Sequence, residues 1–325
     1  MSRLVDGFGR RFWYLRVSIT EVCNFRCTYC LPDGYRKEGP LSFMSPLEVE
    51  RVVRAFADTG VCKVRLTGGE PSVRKDLPEI IARVAQTPGI NKVCLTTNGW
   101  NLERQVAGWR EAGLTNVNVS IDSLDPAAFH RITGHDRLES VVRGLDKALA
   151  LGVPTVKVNG VLLKEGAQDG FEAFAEFVRE RPIAMRFIEL MRTGDNARYF
   201  ADQHVPGSRL TDWLEARGWT KRPRAFDDGP AFEYAHPDYA GRIGLIAPYA
   251  PGFCDSCNRL RITARGQLRL CLFGELGVNL RDLLQKDEPE ALHARITAAL
   301  AGKPKGHRLH EQVSGDTRHL AQFGG

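Results

Sequence analysis

Six of the eight cysteines stand in two tight groups, Cys23-x3-Cys27-x2-Cys30 and Cys254-x2-Cys257-x13-Cys271. Without an export signal, clustered cysteines read as metal ligands before disulfides. Three thiolates can hold three corners of a cubane iron–sulfur cluster and leave one iron open. Zinc is the competing reading, but structural zinc is closed by four protein ligands, and neither triad shows an evident fourth. Cys62 and Cys94 sit inside strand-like apolar runs and read as small buried hydrophobes.

Each triad has a companion segment. The run KVRLT leads into Gly68-Gly69-Glu70-Pro71, where two glycines let the backbone approach a ligand and Glu70 can accept from an ammonium group. Directly after Cys257 come Asn258, Arg259, Leu260, Arg261, Ile262 and Thr263. Arg259, Arg261 and Thr263 alternate, so on a strand they share one face and aim two guanidiniums and a hydroxyl at one spot. Arginine forks suit phosphate.

These residues need a scaffold, and the first two thirds of the chain supply one. Strand-like runs at 14–20, 63–67, 92–97, 116–122, 155–163 and 184–190 alternate with amphipathic helical stretches. In the first helical stretch Ser45 suits the cap, Pro46 the first position and Gly60 the stop. Six β-then-α units in series imply a parallel sheet with crossover helices. Strands buried on both faces should be almost wholly apolar. Here Arg16, Lys63, Arg65, Lys157 and Arg186 all fall inside strand runs, with few carboxylates nearby. Five such cations point to a shared cavity for a polyanion, which favours a curved or closed β/α barrel with its site at the C-terminal strand ends. After about residue 225 the chain turns to short β-like runs rich in turn residues, with RLRIT and QLRLCLF as a hairpin. The chain therefore divides into a core, residues 4–227, and a C-terminal region, residues 228–325. The final FGG reads on composition alone as a loose tail.

Length and composition fit these elements. The 325 residues, 43% hydrophobic and 26% charged, are those of a globular protein with room for a large core. A formal net charge of +6 comes without the basic run that a nucleic-acid patch needs. No segment is apolar for the length of a membrane span, so the expected location is cytoplasmic.

The first triad, with Tyr29 before its last cysteine and GGE after the second strand, resembles the radical S-adenosylmethionine (SAM) superfamily. The further segments TTNG, NVSIDSLDP, KVNGVLLK, RFIELMRTGD, FCDSCNRLRIT, LRLCLF and a terminal Gly-Gly resemble one family within it, the GTP 3′,8-cyclases of molybdenum cofactor biosynthesis. The resemblance covers nearly the whole chain. It implies an incomplete (β/α)6 TIM-like barrel, closed by a C-terminal α+β region that carries a second cluster. The implied cofactors are two [4Fe-4S] clusters, held by Cys23, Cys27 and Cys30 and by Cys254, Cys257 and Cys271, together with SAM. SAM contacts fall by resemblance on Tyr29, Gly69, Glu70, Ser120 and Met191. GTP contacts fall on Arg16, Arg65, Thr96, Lys157 and Asn258, Arg259, Leu260 and Arg261, with Lys63 and Thr263 as additions. Gly324 and Gly325 are implied to reach the active site, which reverses the loose-tail reading.

The implied reaction cleaves SAM reductively, removes hydrogen from C3′ of the GTP ribose and joins that carbon to C8 of guanine. The implied partners are an external one-electron donor of flavodoxin or ferredoxin type and the pterin-forming enzyme of the next step, and a homodimer is among the assemblies allowed. Two departures stand out: Arg192 occupies the proline position of MRTG, and HLAQFGG replaces an MSQIGG-like ending. The rival readings are a peptide-modifying radical SAM enzyme with an auxiliary cluster and a zinc protein that binds nucleic acid. The first should lack the NRLR arginines, and metal analysis separates the second.

Overall fold

In the computed structural model, which describes residues 3–37, 42–165, 167–224, 229–275 and 277–323, strand alternation sets the architecture. Six strands in the first part are β1 (Tyr14–Ser18), β2 (Lys63–Thr67), β3 (Lys92–Thr97), β4 (Asn116–Ser120), β5 (Thr155–Leu162) and β6 (Ala184–Glu189). One face of each is apolar. Leu15, Val17, Val64, Leu66, Val93, Leu95, Val117, Val119, Val156, Val158, Met185 and Phe187 are at most 4% exposed and belong to one core. Burying such a side chain stabilises the fold by roughly 1.5–3 kcal/mol. The other face carries the cations and amides. A one-residue slip would exchange the faces, so burial pins the register.

The crossovers are α1 (Pro46–Ala57), α2 (Leu77–Gln86), α3 (Leu102–Glu111), α4 (Pro126–Thr133), α5 (Leu138–Ala150) and α6 (Ala167–Arg179). α1 starts as expected. The Glu48 amide donates to Ser45 Oγ at 3.2 Å, the Ser45 amide donates to Glu48 Oε2 at 2.8 Å, and Pro46 takes the first turn. Gly60, with φ +97°, turns the chain after the helix has ended. Among the described residues no helix is long and apolar enough to cross a membrane.

The C-terminal region adds to this sheet. It supplies β8 (Phe232–Ala235), β9 (Arg242–Ile246), β10 (Arg259–Ile262), β11 (Gln267–Arg269) and β12 (Val278–Asn279), after the short β7 (Thr220–Lys221). β10 pairs parallel with β1, and β9 pairs parallel with β6. The described strands run β12-β11-β10-β1-β2-β3-β4-β5-β6-β9-β8-β7. The six-unit series thus gains a parallel neighbour at each edge, and β10 with β11 forms the expected antiparallel hairpin. β1, β4, β5 and β6 end one or two residues short of the sequence reading, because the chain leaves the sheet there to build loops.

Candidate active site

Two chambers adjoin inside the sheet, one at the C-terminal strand ends and one running along the lumen as far as the strand starts at Tyr14, Lys63 and Lys92. The smaller, about 160 Å³, is lined by Cys23, Cys27 and Cys30. They lie on the loop after β1, which is pinned to the Gly68–Glu70 segment: the Gly69 amide donates to Thr20 O at 3.0 Å and the Glu70 amide to Val22 O at 2.8 Å. A Cβ on Gly69 would fall on the backbone of Glu21 and Val22. Glycine is therefore required for packing of loop on loop, a reason beyond the ligand approach expected from sequence. Glu70 is fully buried and already engaged. It accepts from the Ser72 amide at 2.9 Å, Thr97 Oγ1 at 2.7 Å and the Asn98 amide at 2.6 Å. Its carboxylate ties its own loop to the end of β3 while it also lines the chamber.

Tyr29, Gly69, Ser120 and Met191 line the same chamber. So does Asp122, which sequence reasoning passed over. The Tyr29 hydroxyl donates to Asp122 Oδ2 at 3.0 Å and the Val161 amide to Oδ1 at 2.8 Å. Burial pushes the Asp122 carboxyl up to about 6 against these hydrogen bonds. The C-terminal tail closes one side. Leu320 and Ala321 line the chamber, and their amides donate to the Cys30 sulfur.

The larger chamber, about 320 Å³, is the barrel lumen. Arg16, Lys63, Arg65, Lys92, Lys157, Arg186, Arg242, Arg259 and Arg261 line it, and no carboxylate does so among the described residues. Arg65 donates to the Tyr14 hydroxyl at 2.6 Å, to Leu95 O at 3.1 Å and to Thr96 Oγ1 at 3.2 Å. Arg186 donates to Asn159 Oδ1 at 2.8 Å. Lys157 differs: it pairs with Glu233 of β8 at 3.1 Å, and Glu233 also meets Arg242 at 3.0 Å. The carboxylate partner absent from the nearby sequence thus arrives from the C-terminal region. Burial, with Arg186 beside it, lowers Lys157 to about 8 despite Glu233.

Cys254, Cys257 and Cys271 open onto this lumen beside Arg259 and Arg261. Arg10 braces their loop, donating to Cys254 O at 3.0 Å and Lys305 O at 2.6 Å. The triads differ at Cys257, since burial raises Cys254 as it does the first triad. Burial raises Cys23 to about 12 and Cys30 to about 11. Burial also acts on Cys257, but Arg259, Lys303 and Arg261 outweigh it and bring that thiol down to about 7. A buried thiolate triad suits a cationic iron centre, and the amide–sulfur hydrogen bonds at Cys30 and Cys254 are of the kind that tune cluster sulfurs. The convergence that a single metal ion needs is not found among the described Cys, His, Asp and Glu side chains.

Comparison with known proteins agrees with this geometry. Residues 17–178 match the model described as the radical SAM superfamily, and residues 183–309 the one described as Molybdenum Cofactor Synthesis C. The GTP 3′,8-cyclase of Stenotrophomonas maltophilia (strain R551-3) is 57% identical over 326 residues, covering 100% of both chains. The chain belongs to the GTP 3′,8-cyclase family. Another member, from Vibrio atlanticus, is 54% identical over 98% of this chain and 97% of its own. Among solved structures, Streptococcus suis SuiB bound to S-adenosylmethionine matches with a TM-score of 0.65 at 15% identity, over 96% of this chain and 77% of its own. Native anSMEcpe with bound AdoMet and Cp18Cys peptide matches at 0.56 and 16% identity, over 84% and 79%. At these identities the likeness is one of fold, the partial TIM-like barrel of radical SAM proteins.

In this cyclase-family chain the two triads reach adjoining chambers whose shared walls include Thr96, Asn159, Ile188 and Met191. Arg16, Lys63, Arg65, Thr96, Lys157, Arg259 and Arg261 converge on the lumen. Three other predicted GTP contacts are placed differently. Leu260 is on the apolar face of β10, in the core. Thr263 turns into the hairpin, where its hydroxyl accepts from the Gln267 amide at 3.1 Å. Asn258 is buried with Oδ1 lacking a hydrogen bond. Cys94 is buried, on β3 opposite Arg65, while Cys62 is half-buried just before β2. Arg192 gains bonds that proline could not make. Its amide donates to Tyr249 Oη at 3.0 Å and its guanidinium to Gln312 Oε1 at 2.7 Å. Gly324 and Gly325 lie outside the described residues.

Proposed function

We propose that this enzyme converts GTP to (8S)-3′,8-cyclo-7,8-dihydroguanosine 5′-triphosphate in the first step of molybdenum cofactor biosynthesis. The observation that carries this reading is the pair of cysteine triads facing adjoining chambers, one of them lined by nine cations and no carboxylate among the described residues. SAM and an iron–sulfur cluster are its cofactors. When bound and reduced, a [4Fe-4S] cluster on Cys23, Cys27 and Cys30 supplies the electron that cleaves SAM. We assign a second [4Fe-4S] cluster to Cys254, Cys257 and Cys271, on the chemistry of their three thiols and their place beside the arginines. The protein's own residues position and enclose. Tyr29, Gly69, Ser120 and Met191 border SAM, the lumen cations hold the triphosphate, and Glu70 braces the SAM loops. The family resemblance gives Gly324 and Gly325 a part in the reaction.

Residues 4–227 form the radical core in this reading, and residues 228–325 carry the second triad. An external flavodoxin- or ferredoxin-type donor, transfer of product to a pterin-forming enzyme, a cytoplasmic setting and a homodimeric assembly complete it, all on the family resemblance. Anaerobic reconstitution followed by GTP and SAM, with product analysis, tests the function. A nucleotide lacking the C3′–C8 bond would overturn it.

The lumen cations should serve substrate. Arg65→Ala and Lys157→Ala are expected to weaken GTP binding by about 10- to 100-fold, the cost of losing a charge-assisted hydrogen bond. Iron content and SAM binding should persist, and binding titrations with metal analysis check both. Loss of folding would instead assign these cations to the scaffold, and Lys157 is the sharper test because Glu233 remains balanced by Arg242.

Asp122 should act through Tyr29. Tyr29→Phe loses one hydrogen bond to a carboxylate, Asp122→Ala loses that one and the Val161 amide's, and each should weaken SAM binding by about tenfold or more. The double variant should be no worse than Asp122→Ala alone, measured by equilibrium binding. Additive losses would show that the two side chains act separately.

A further inference from the structure

Tyr14 touches three lumen cations. It opens β1, is 5% exposed and lies on the same strand face as Arg16. Arg65 Nε donates to its hydroxyl at 2.6 Å, and Arg16 bonds to the same hydroxyl. The Lys63 ammonium stands 5.1 Å from its ring centroid. Strand register explains the crowding. Arg16 lies opposite Arg65 on one side and Arg261 on the other, so one layer of the barrel carries three guanidiniums. A phenol oxygen that accepts from two guanidiniums has both lone pairs engaged and keeps two mutually repelling forks side by side. The other bonds of Arg65 go to Leu95 O at 3.1 Å and Thr96 Oγ1 at 3.2 Å, so the phenol is the shortest of the three.

We propose that Tyr14 is a positioning residue for the triphosphate: its hydroxyl holds the Arg16 and Arg65 forks in place until phosphate oxygens replace it as their partner. This rests on the GTP reading above and adds a residue and a proton to it. Burial alone would raise the Tyr14 pKa, but Arg65, Arg16 and Lys63 outweigh it and bring the phenol to about 8, with Cys94 of β3 opposing. Arg186 of β6 also acts on it, and Lys92 of β3 with Arg259 and Arg261 of β10 faces the same lumen. A triphosphate neutralises those cations, so the phenol pKa rises on binding and Tyr14 takes up a proton. The sign is fixed. Below about pH 8 the phenol is protonated in both states and leaves affinity unchanged; above it, affinity falls by about tenfold per pH unit from this group. Lys157, also near 8, adds a second loss of the same sign.

The test separates the two by their spectra. Reconstituted enzyme without SAM is titrated from about pH 7 to about pH 9.5, with and without GTP. The readouts are the tyrosinate ultraviolet band, as wild type minus Tyr14→Phe, and the GTP dissociation constant. A tyrosinate should form near pH 8 in wild type, be absent from Tyr14→Phe and be suppressed by GTP. Tyr14→Phe should bind GTP about tenfold more weakly near neutral pH and lose one proton's worth of the alkaline fall in affinity. A tyrosinate that GTP leaves unchanged overturns the proposal, as does a Phe variant with wild-type affinity and pH dependence. The wild-type titration alone keeps the test decisive if the variant loses its clusters. Wild-type enzyme that binds no GTP at all would overturn the cyclase reading and this proposal with it.

Discussion

Cys254→Ser should hold about half the iron of the parent enzyme, still cleave SAM and form no cyclic nucleotide. The expectation follows from the separation of the chambers. Cys23, Cys27 and Cys30 line one, while Cys254, Cys257 and Cys271 line the other, beside Arg259 and Arg261. Cys254 is held through its carbonyl by Arg10 and through its sulfur by the His307 amide, so serine keeps the loop and removes only the thiolate. Anaerobic analysis should find about eight irons per parent chain and about four in the variant. Cyclisation should drop by at least about 100-fold, since misplacement of a bound reactant by an ångström is enough for that. Unchanged iron content and cluster spectrum would sink the second-cluster assignment.

Removing Gly324 and Gly325 should abolish cyclisation while both clusters and SAM cleavage survive. The tail is anchored before it reaches them. The Thr317 hydroxyl donates to Leu272 O, Asp316 pairs with Arg269, and the Arg269 guanidinium lies 4.4 Å from the Phe323 ring centroid. Leu320 and Ala321 then hydrogen-bond the Cys30 sulfur. Truncation after Phe323 leaves all of these contacts, so the loss should be confined to cavity geometry around GTP. The measurement is a pair of assays on one preparation, SAM cleavage and cyclic product. Normal cyclisation by the truncated chain would return the two glycines to the status of a frayed end.

The cysteine spacings and the strand cations were legible in the sequence because each is a local pattern. Alternation also placed β1 to β6 to within a residue or two, since one face of each strand is packed and the other is largely polar or charged. Long-range pairings left no such trace. That β10 would lie beside β1, or that Glu233 would reach Lys157, depends on strands distant in the chain. Asp122 and Tyr14 read only as the end of one strand and the start of another. Their importance lies in partners, Tyr29 for one and Arg65 for the other, that only the folded sheet brings near. Glu70 was read as a ligand group; it lines the chamber, and its bonds to Ser72, Thr97 and Asn98 add a bracing role that no spacing rule reveals.

The pairing of β1 with β10 also orders the protein's birth. A ribosome releases residues 14–18 early and residues 259–262 late, so one edge of β1 stays unpaired through most of translation. An open strand edge is a template for other chains, which makes nascent or prematurely terminated copies vulnerable to aggregation. The same timetable leaves the first cysteine triad uncovered until Leu320 and Ala321 have emerged. Iron–sulfur loading therefore has its widest access to Cys30 before Leu320 and Ala321 emerge, and those two residues then shut the door behind it.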